Sequence, residues 1–128
     1  MADFKVLIVD DEEDFRKVIG ERIRSWGYDV IEAAGGKEGV ETVKKEKPDA
    51  VVLDYMMPGM DGMATLKQIR RLDKDVAVIM FTAHSEMKLM EGAQKLGVTA
   101  FIPKLSAYAE THEALKTAIM MTAKKSKK

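Results

Sequence analysis

The segment DAVVLDYMMPGMDG, Asp49 to Gly62, joins an apolar run to an acid and then to two turns. Ala50-Val51-Val52-Leu53 has no polar interruption, as expected of a strand buried on both faces of a parallel sheet. Asp54 ends the run. That places its carboxylate at the carboxyl end of the sheet, where open α/β folds hold their ligands. Pro58-Gly59 and Asp61-Gly62 are turn signals, so the chain loops above the strand before a helix begins near Met63. A lone acid here has a plain structural reading, as the residue that closes a strand. The flanking segments change that balance.

On the N-terminal side, Phe4 to Val9 is a second strand of the buried kind, and it too runs into acids, Asp10 and Asp11. Phe15, Val18, Ile19, Ile23 and Trp26 then recur at helical spacing on one face, with Gly27 at the usual C-terminal position. Tyr28 to Ala33 alternates in part and predicts a strand nearer the sheet edge. Gly35-Gly36 turns into a polar helix with Val40 and Val43 inward, closed before Pro48.

On the C-terminal side, Met63, Leu66, Ile69 and Leu72 mark a third helix. Val76 to Phe81 is a fourth strand, followed by Thr82-Ala83-His84. A fourth helix covers Ser85 to Leu96 and stops at Gly97. Val98 to Ile102 is a fifth strand leading to Pro103-Lys104. The last helix starts near Ser106, with Tyr108, Leu115, Ala118 and Ile119 as its inner face. Five strands alternating with five helices predict an α/β protein: a doubly wound, five-stranded parallel sheet wrapped on both faces with right-handed crossovers.

Composition agrees with one soluble domain. The chain has 128 residues, 46% hydrophobic and 33% charged, with no cysteine. That excludes a disulfide framework, a thiolate metal site and a thiol nucleophile. No apolar run approaches bilayer length and no signal pattern opens the chain, so the expected location is the cytoplasm and no membrane partner is expected. Acids and bases balance at 21 each, but Lys124, Lys125, Lys127 and Lys128 crowd the end. Without those four, 17 bases remain against 21 acids, which argues against direct nucleic-acid binding by the body. The expected organisation is one domain over residues 1–123 and a basic C-terminal tail over 124–128.

In a parallel sheet all carboxyl ends lie on one rim. Asp10 and Asp11, Asp54, Thr82 and Lys104 therefore converge. Each alone has a bland explanation: Asp11 or Thr82 as a helix cap, Lys104 as a surface lysine. Together they describe a chemistry. Crowded carboxylates repel unless a cation joins them, and hard oxygen ligands suit Mg2+. A lysine and a hydroxyl beside that ion are what a phosphoryl group requires. With no cysteine, and no serine at a strand-to-helix elbow, the nucleophile left is a carboxylate. The residues predict Mg2+-dependent phosphoryl transfer onto an aspartate.

The chain resembles the receiver domain of two-component response regulators from Phe4 to about Met121. The resemblance rests on VDDEED at Val9–Asp14, LDYMMPGMDG at Leu53–Gly62, FTA at Phe81–Ala83 and AFIPK at Ala100–Lys104. It implies the flavodoxin-like (βα)5 fold with strand order 2-1-3-4-5, the order such receivers share. It implies Asp54 as phosphoacceptor, with Asp11, Asp54 and the backbone carbonyl of Met56 on Mg2+ and Asp10 acting through water. It further implies that Lys104 contacts a phosphoryl oxygen, and that Thr82 and Phe101 form the switch. The surface of the fourth helix, fifth strand and fifth helix would report the change. One departure stands out: many receivers follow the lysine with a cis proline, whereas here Leu105 follows and Pro103 precedes.

The function this implies is a switch in phosphorelay signal transduction. A sensor histidine kinase or phosphotransfer protein would phosphorylate it, and it would act on a downstream target protein as a monomer or a phosphorylation-dependent homodimer. Such a chain is not an enzyme beyond its own phosphorylation and slow autodephosphorylation. Met56 and His84, each two residues past a cluster residue, would tune that loss. The alternative is a Mg2+-dependent phosphatase working through an aspartyl phosphate on free substrates. It is disfavoured because Met56 stands where a second acid is usual, and methionine moves no proton. A flavodoxin-like cofactor binder lacks its phosphate loop after the first strand. The fourth helix, with Met87, Leu89, Met90, Ala93 and Leu96, has more apolar residues than one buried stripe uses. It is read either as a wide core face or as a Met-rich partner patch.

Overall fold

A computed structural model describes residues 4–83, 86–103 and 108–126, without side-chain detail for 108–111 and 125–126. The elements alternate in chain order: β1 (Lys5–Val9), α1 (Glu13–Ser25), β2 (Asp29–Ala33), α2 (Gly36–Glu46) and β3 (Ala50–Leu53). They continue as α3 (Gly62–Leu72), β4 (Ala77–Thr82), α4 (Met87–Lys95), β5 (Ala100–Pro103) and α5 (Tyr108–Ser126). The strands form one sheet in the order β2-β1-β3-β4-β5, with every pairing parallel. The expected fold and strand order are both present.

Strand residues alternate between two cores, which is why the runs are apolar without interruption. Val6, Ile8, Ala50, Val52, Ile79 and Phe81 face α1 and α5, meeting Ile19, Ile23, Leu115 and Ile119. Leu7, Val9, Val51, Leu53, Val78 and Met80 face α2, α3 and α4, meeting Val43, Leu66, Ile69 and Ala93. Each fully buried Leu or Ile contributes about 1.5–3 kcal/mol relative to exposure.

Several finer expectations need correction. Val18 and Leu72 fit the helical spacing but are about half exposed, because the apolar stripe each helix needs is narrower than its apolar content. Thr82 is the last residue of β4 rather than a helix cap. The cap position of α4 is Glu86, and that of α1 is Glu12 rather than Asp11, both without a side-chain cap bond. On α4 only Ala93 is buried, while Met87 is 74% exposed. The last helix, α5, runs from Tyr108 to Ser126. Among the described residues no helix is long and apolar enough to cross a membrane.

Candidate functional site: the acid rim

Val9 and Leu53 are register partners in the β1–β3 pair, and the next residue of each strand is an aspartate. Asp54 N–H donates to the Val9 carbonyl over 3.1 Å, and Asp10 N–H donates to the Ala33 carbonyl of β2, also over 3.1 Å. The backbone ladder thus carries both acids one step past the sheet. Asp10 is 1% exposed and Asp54 6% exposed, unusually deep for carboxylates.

Local hydrogen bonds fix both side chains. Asp10 Oδ1 accepts the Glu12 N–H at 2.9 Å, an Asx turn that starts the chain toward α1. Asp54 Oδ1 accepts the Tyr55 N–H at 2.7 Å. Arg16 donates to the Asp10 carbonyl at 2.7 Å and pairs with Glu32 at 3.2 Å, tying the loop to α1 and β2.

The loop after Asp54 is shaped by glycine. Gly59 sits at φ +78°, in the left-handed region. Gly62 donates to the Tyr55 carbonyl at 2.7 Å, and a β-carbon on it would collide with the Asp54 carbonyl and lie 2.6 Å from the Tyr55 Cα. No other residue permits that approach. Asp61 caps α3 by accepting the Ala64 N–H at 2.9 Å.

Asp10, Glu12 and Asp54 each offer a carboxylate oxygen, and these atoms lie within 4.8 Å of one another. Three hard oxygen donors, two of them buried, suit a divalent cation such as Mg2+ or Ca2+. Glu12 was not among the expected ligands, although VDDEED displayed it. Its neighbour Asp11 is exposed and stands outside this group of three. Met56 is 56% exposed beside the site.

Thr82 is fully buried and pairs in register with Pro103 of β5, so the hydroxyl-bearing strand end borders the strand that leads to Lys104. Lys104 and His84 themselves lie outside the described residues, as does Leu105. Phe101 is partly buried and packs against the α2–α3–α4 core.

Compared with known proteins, residues 6–116 match the family described as response regulator receiver domain. The chain belongs to that family. Among curated relatives, the receiver is 35% identical to sporulation initiation phosphotransferase F of Bacillus subtilis, over 91% of this chain and 94% of that one. It is 40% identical to the probable transcriptional regulator ycf27 of Porphyridium aerugineum, but spans only 41% of that protein's length. Among solved structures, the receiver domain protein of Clostridium thermocellum superposes with a TM-score of 0.87 at 26% identity, covering 97% of each chain. A chain of the CheX–CheY–BeF3–Mg2+ complex of Borrelia burgdorferi gives 0.85 at 32% identity, over 94% of this receiver and 89% of that chain.

Proposed function

We propose that this receiver accepts a phosphoryl group on Asp54 from the phosphohistidine of a sensor histidine kinase or phosphotransfer protein. The observation that carries the reading is Asp54 itself, buried at the end of the central strand and grouped with Asp10 and Glu12. A carboxylate oxygen of Asp54 attacks phosphorus, the phosphorus–nitrogen bond breaks, and the leaving imidazole nitrogen takes a proton. The Tyr55 N–H holds the carboxylate in place during approach, and the buried site excludes competing water. Asp10, Asp11 and Asp54, with the Met56 carbonyl, would hold Mg2+, which when bound offsets phosphoryl oxygen charge. The Thr82 hydroxyl and the Lys104 ammonium take the remaining oxygens.

The names of two relatives support this: one is a phosphotransferase and one was solved with Mg2+ and a partner protein. The output is a switch rather than turnover of free substrates. Thr82 and Phe101 couple the site to the α4–β5–α5 surface, where exposed Met87 and Met90 suit a downstream target protein or a phosphorylation-dependent second copy. The setting is the cytoplasm, with the phosphorylated form lasting minutes or longer because Met56 offers an attacking water no hydrogen bond. His84 joins Met56 in tuning that lifetime.

The test is labelling by a small phosphodonor with Mg2+ present. Wild type is labelled and Asp54→Asn is not, with circular dichroism unchanged. Equal labelling of the two would refute the assignment.

A further inference from the structure

A second cluster of charged and aromatic groups lies between α1 and α5. Arg22 and Trp26 are four apart at the end of α1, and His112 and Lys116 are four apart on α5, so each pair shares a helix face. The two faces, with Glu113, line a cavity of about 330 Å³. Its contents are not those of a leftover packing gap. The Trp26 indole is partly buried against the core, and Lys116 Nζ stands 6.0 Å from the ring centroid. The ammonium lies over the ring face at the outer limit of a cation–π contact, so a base stacks there only as the ammonium swings aside toward the phosphate. Among the described residues, Arg22, Lys116 and Glu113 enter no ion pair. His112 forms a buried floor; burial first, then Arg22, holds its pKa below the usual imidazole range, so it adds no third positive charge at neutral pH.

We propose that this cleft binds a purine mononucleotide, with guanine favoured over adenine. The two cations select an anion, and the guanidinium fork matches phosphate oxygens. The indole supplies a stacking surface that a bare phosphate would not use. Glu113 accepts hydrogen bonds, and guanine presents two adjacent donors to a carboxylate, at N1 and the 2-amino group, where adenine presents only its 6-amino group. The volume lies at the small end of ligand pockets, which limits the occupant to one nucleotide unit. The site shares no residue with phosphoryl acceptance at Asp54 and requires no covalent step.

The chain contains a single tryptophan, so fluorescence excited at wavelengths that the three tyrosines do not absorb reports this cleft alone. The experiment titrates the full-length protein with GMP, AMP, ribose 5-phosphate and inorganic phosphate, corrected for ligand absorbance. A chelator is present so that no metal at the acid rim captures phosphate. The expected result is saturable quenching by GMP, weaker with AMP and absent with inorganic phosphate. Lys116→Ala should weaken GMP binding about tenfold, one charge-assisted contact. Glu113→Gln should bring GMP and AMP level while leaving the fold intact by circular dichroism. No quenching by GMP, equal quenching by GMP and AMP in wild type, or binding indifferent to Lys116→Ala would each overturn the proposal. Calorimetric titration of wild type with GMP measures the same binding without an optical probe, and an absence of saturable heat there would overturn it equally.

Discussion

The Asp54 amide donates to the Val9 carbonyl over 3.1 Å, which sets the phosphoacceptor candidate beside Asp10 at the same level of the sheet. The same bond that extends the β1–β3 ladder therefore forces two buried carboxylates together. In the absence of a cation this is unfavourable.

The first expectation concerns that repulsion. Asp54→Asn keeps an oxygen to accept the Tyr55 N–H and removes one charge. Without metal it should stabilise the protein by about 1 kcal/mol, a rise of roughly 3–5 °C in melting temperature. Scanning calorimetry in chelator checks this, and a fall of similar size would show that the carboxylates do not oppose each other.

Millimolar Mg2+ should raise the wild-type melting temperature by binding the folded rim alone, and the acids should matter unequally. Asp11 is exposed, and its short side chain loses little entropy when a cation holds it. Glu12 already lies in the group of three but loses more side-chain entropy when held. Asp11→Asn should remove most of the Mg2+ effect and Glu12→Gln a smaller part. The reverse order would make Glu12 the ligand.

The contrast between Asp11 and Glu12 marks what the sequence could and could not convey. The sheet was legible because buried parallel strands need unbroken apolar runs, and Ala50–Leu53 and Val6–Val9 supply them. The rim followed, since parallel strands end together. Side-chain direction just past a strand did not follow: Asp10 turns inward on an Asx bond to Glu12, a choice made by local backbone geometry. Val18 and Leu72 were misplaced for a related reason, because spacing gives a face but not how wide a stripe the neighbours cover. Arg70, whose side chain donates to the backbone carbonyls of Leu96 and Val76, had no pattern at all, since backbone acceptors leave no mark in the sequence.

Gly62 should be the least replaceable residue of the β3–α3 loop. A methyl group there collides with the Asp54 carbonyl, so either the loop moves or the strand end does. Gly62→Ala should cost about 1–3 kcal/mol as overpacking and slow labelling of Asp54 even where the protein remains folded. A variant with wild-type stability and labelling would show that the loop yields freely.

Arg70 holds α3, the α3–β4 turn and the end of α4 together. It donates to Leu96 and Gly97 carbonyls at 2.7 and 2.9 Å, and to Val76 at 2.7 Å and Asp73 at 3.3 Å. Burial lowers its pKa somewhat, against the raising effects of Asp73 and Asp75, yet guanidinium stays charged. Arg70→Met preserves the stem and removes the donors, for an expected loss of about 2–3 kcal/mol. Faster hydrogen exchange should appear at the Val98 and Thr99 amides, which anchor the segment after α4. Arg70→Lys should restore only part of it, because an ammonium cannot fork across separated carbonyls. Full rescue by lysine would mean charge alone matters.

The last expectation is a pH dependence centred on His112. Its pKa is lowered by burial and then by Arg22; Glu113 and Lys116 are the other charged groups lining the same cleft. A lowered pKa means the unfolded chain binds the proton more readily than the folded one. Stability from this group is therefore complete above the ordinary imidazole value of 6.5 and is lost as pH falls toward the folded pKa. Carboxylates also lose stability in acid, so the readout is the difference between wild type and His112→Gln. Glutamine retains hydrogen-bonding capacity and cannot charge. The stability of wild type relative to His112→Gln should decline as pH is lowered from neutrality through 6.5 and below, measured by urea denaturation at each pH. A difference independent of pH over that range would show that His112 takes its proton as easily in the folded protein as in the unfolded chain.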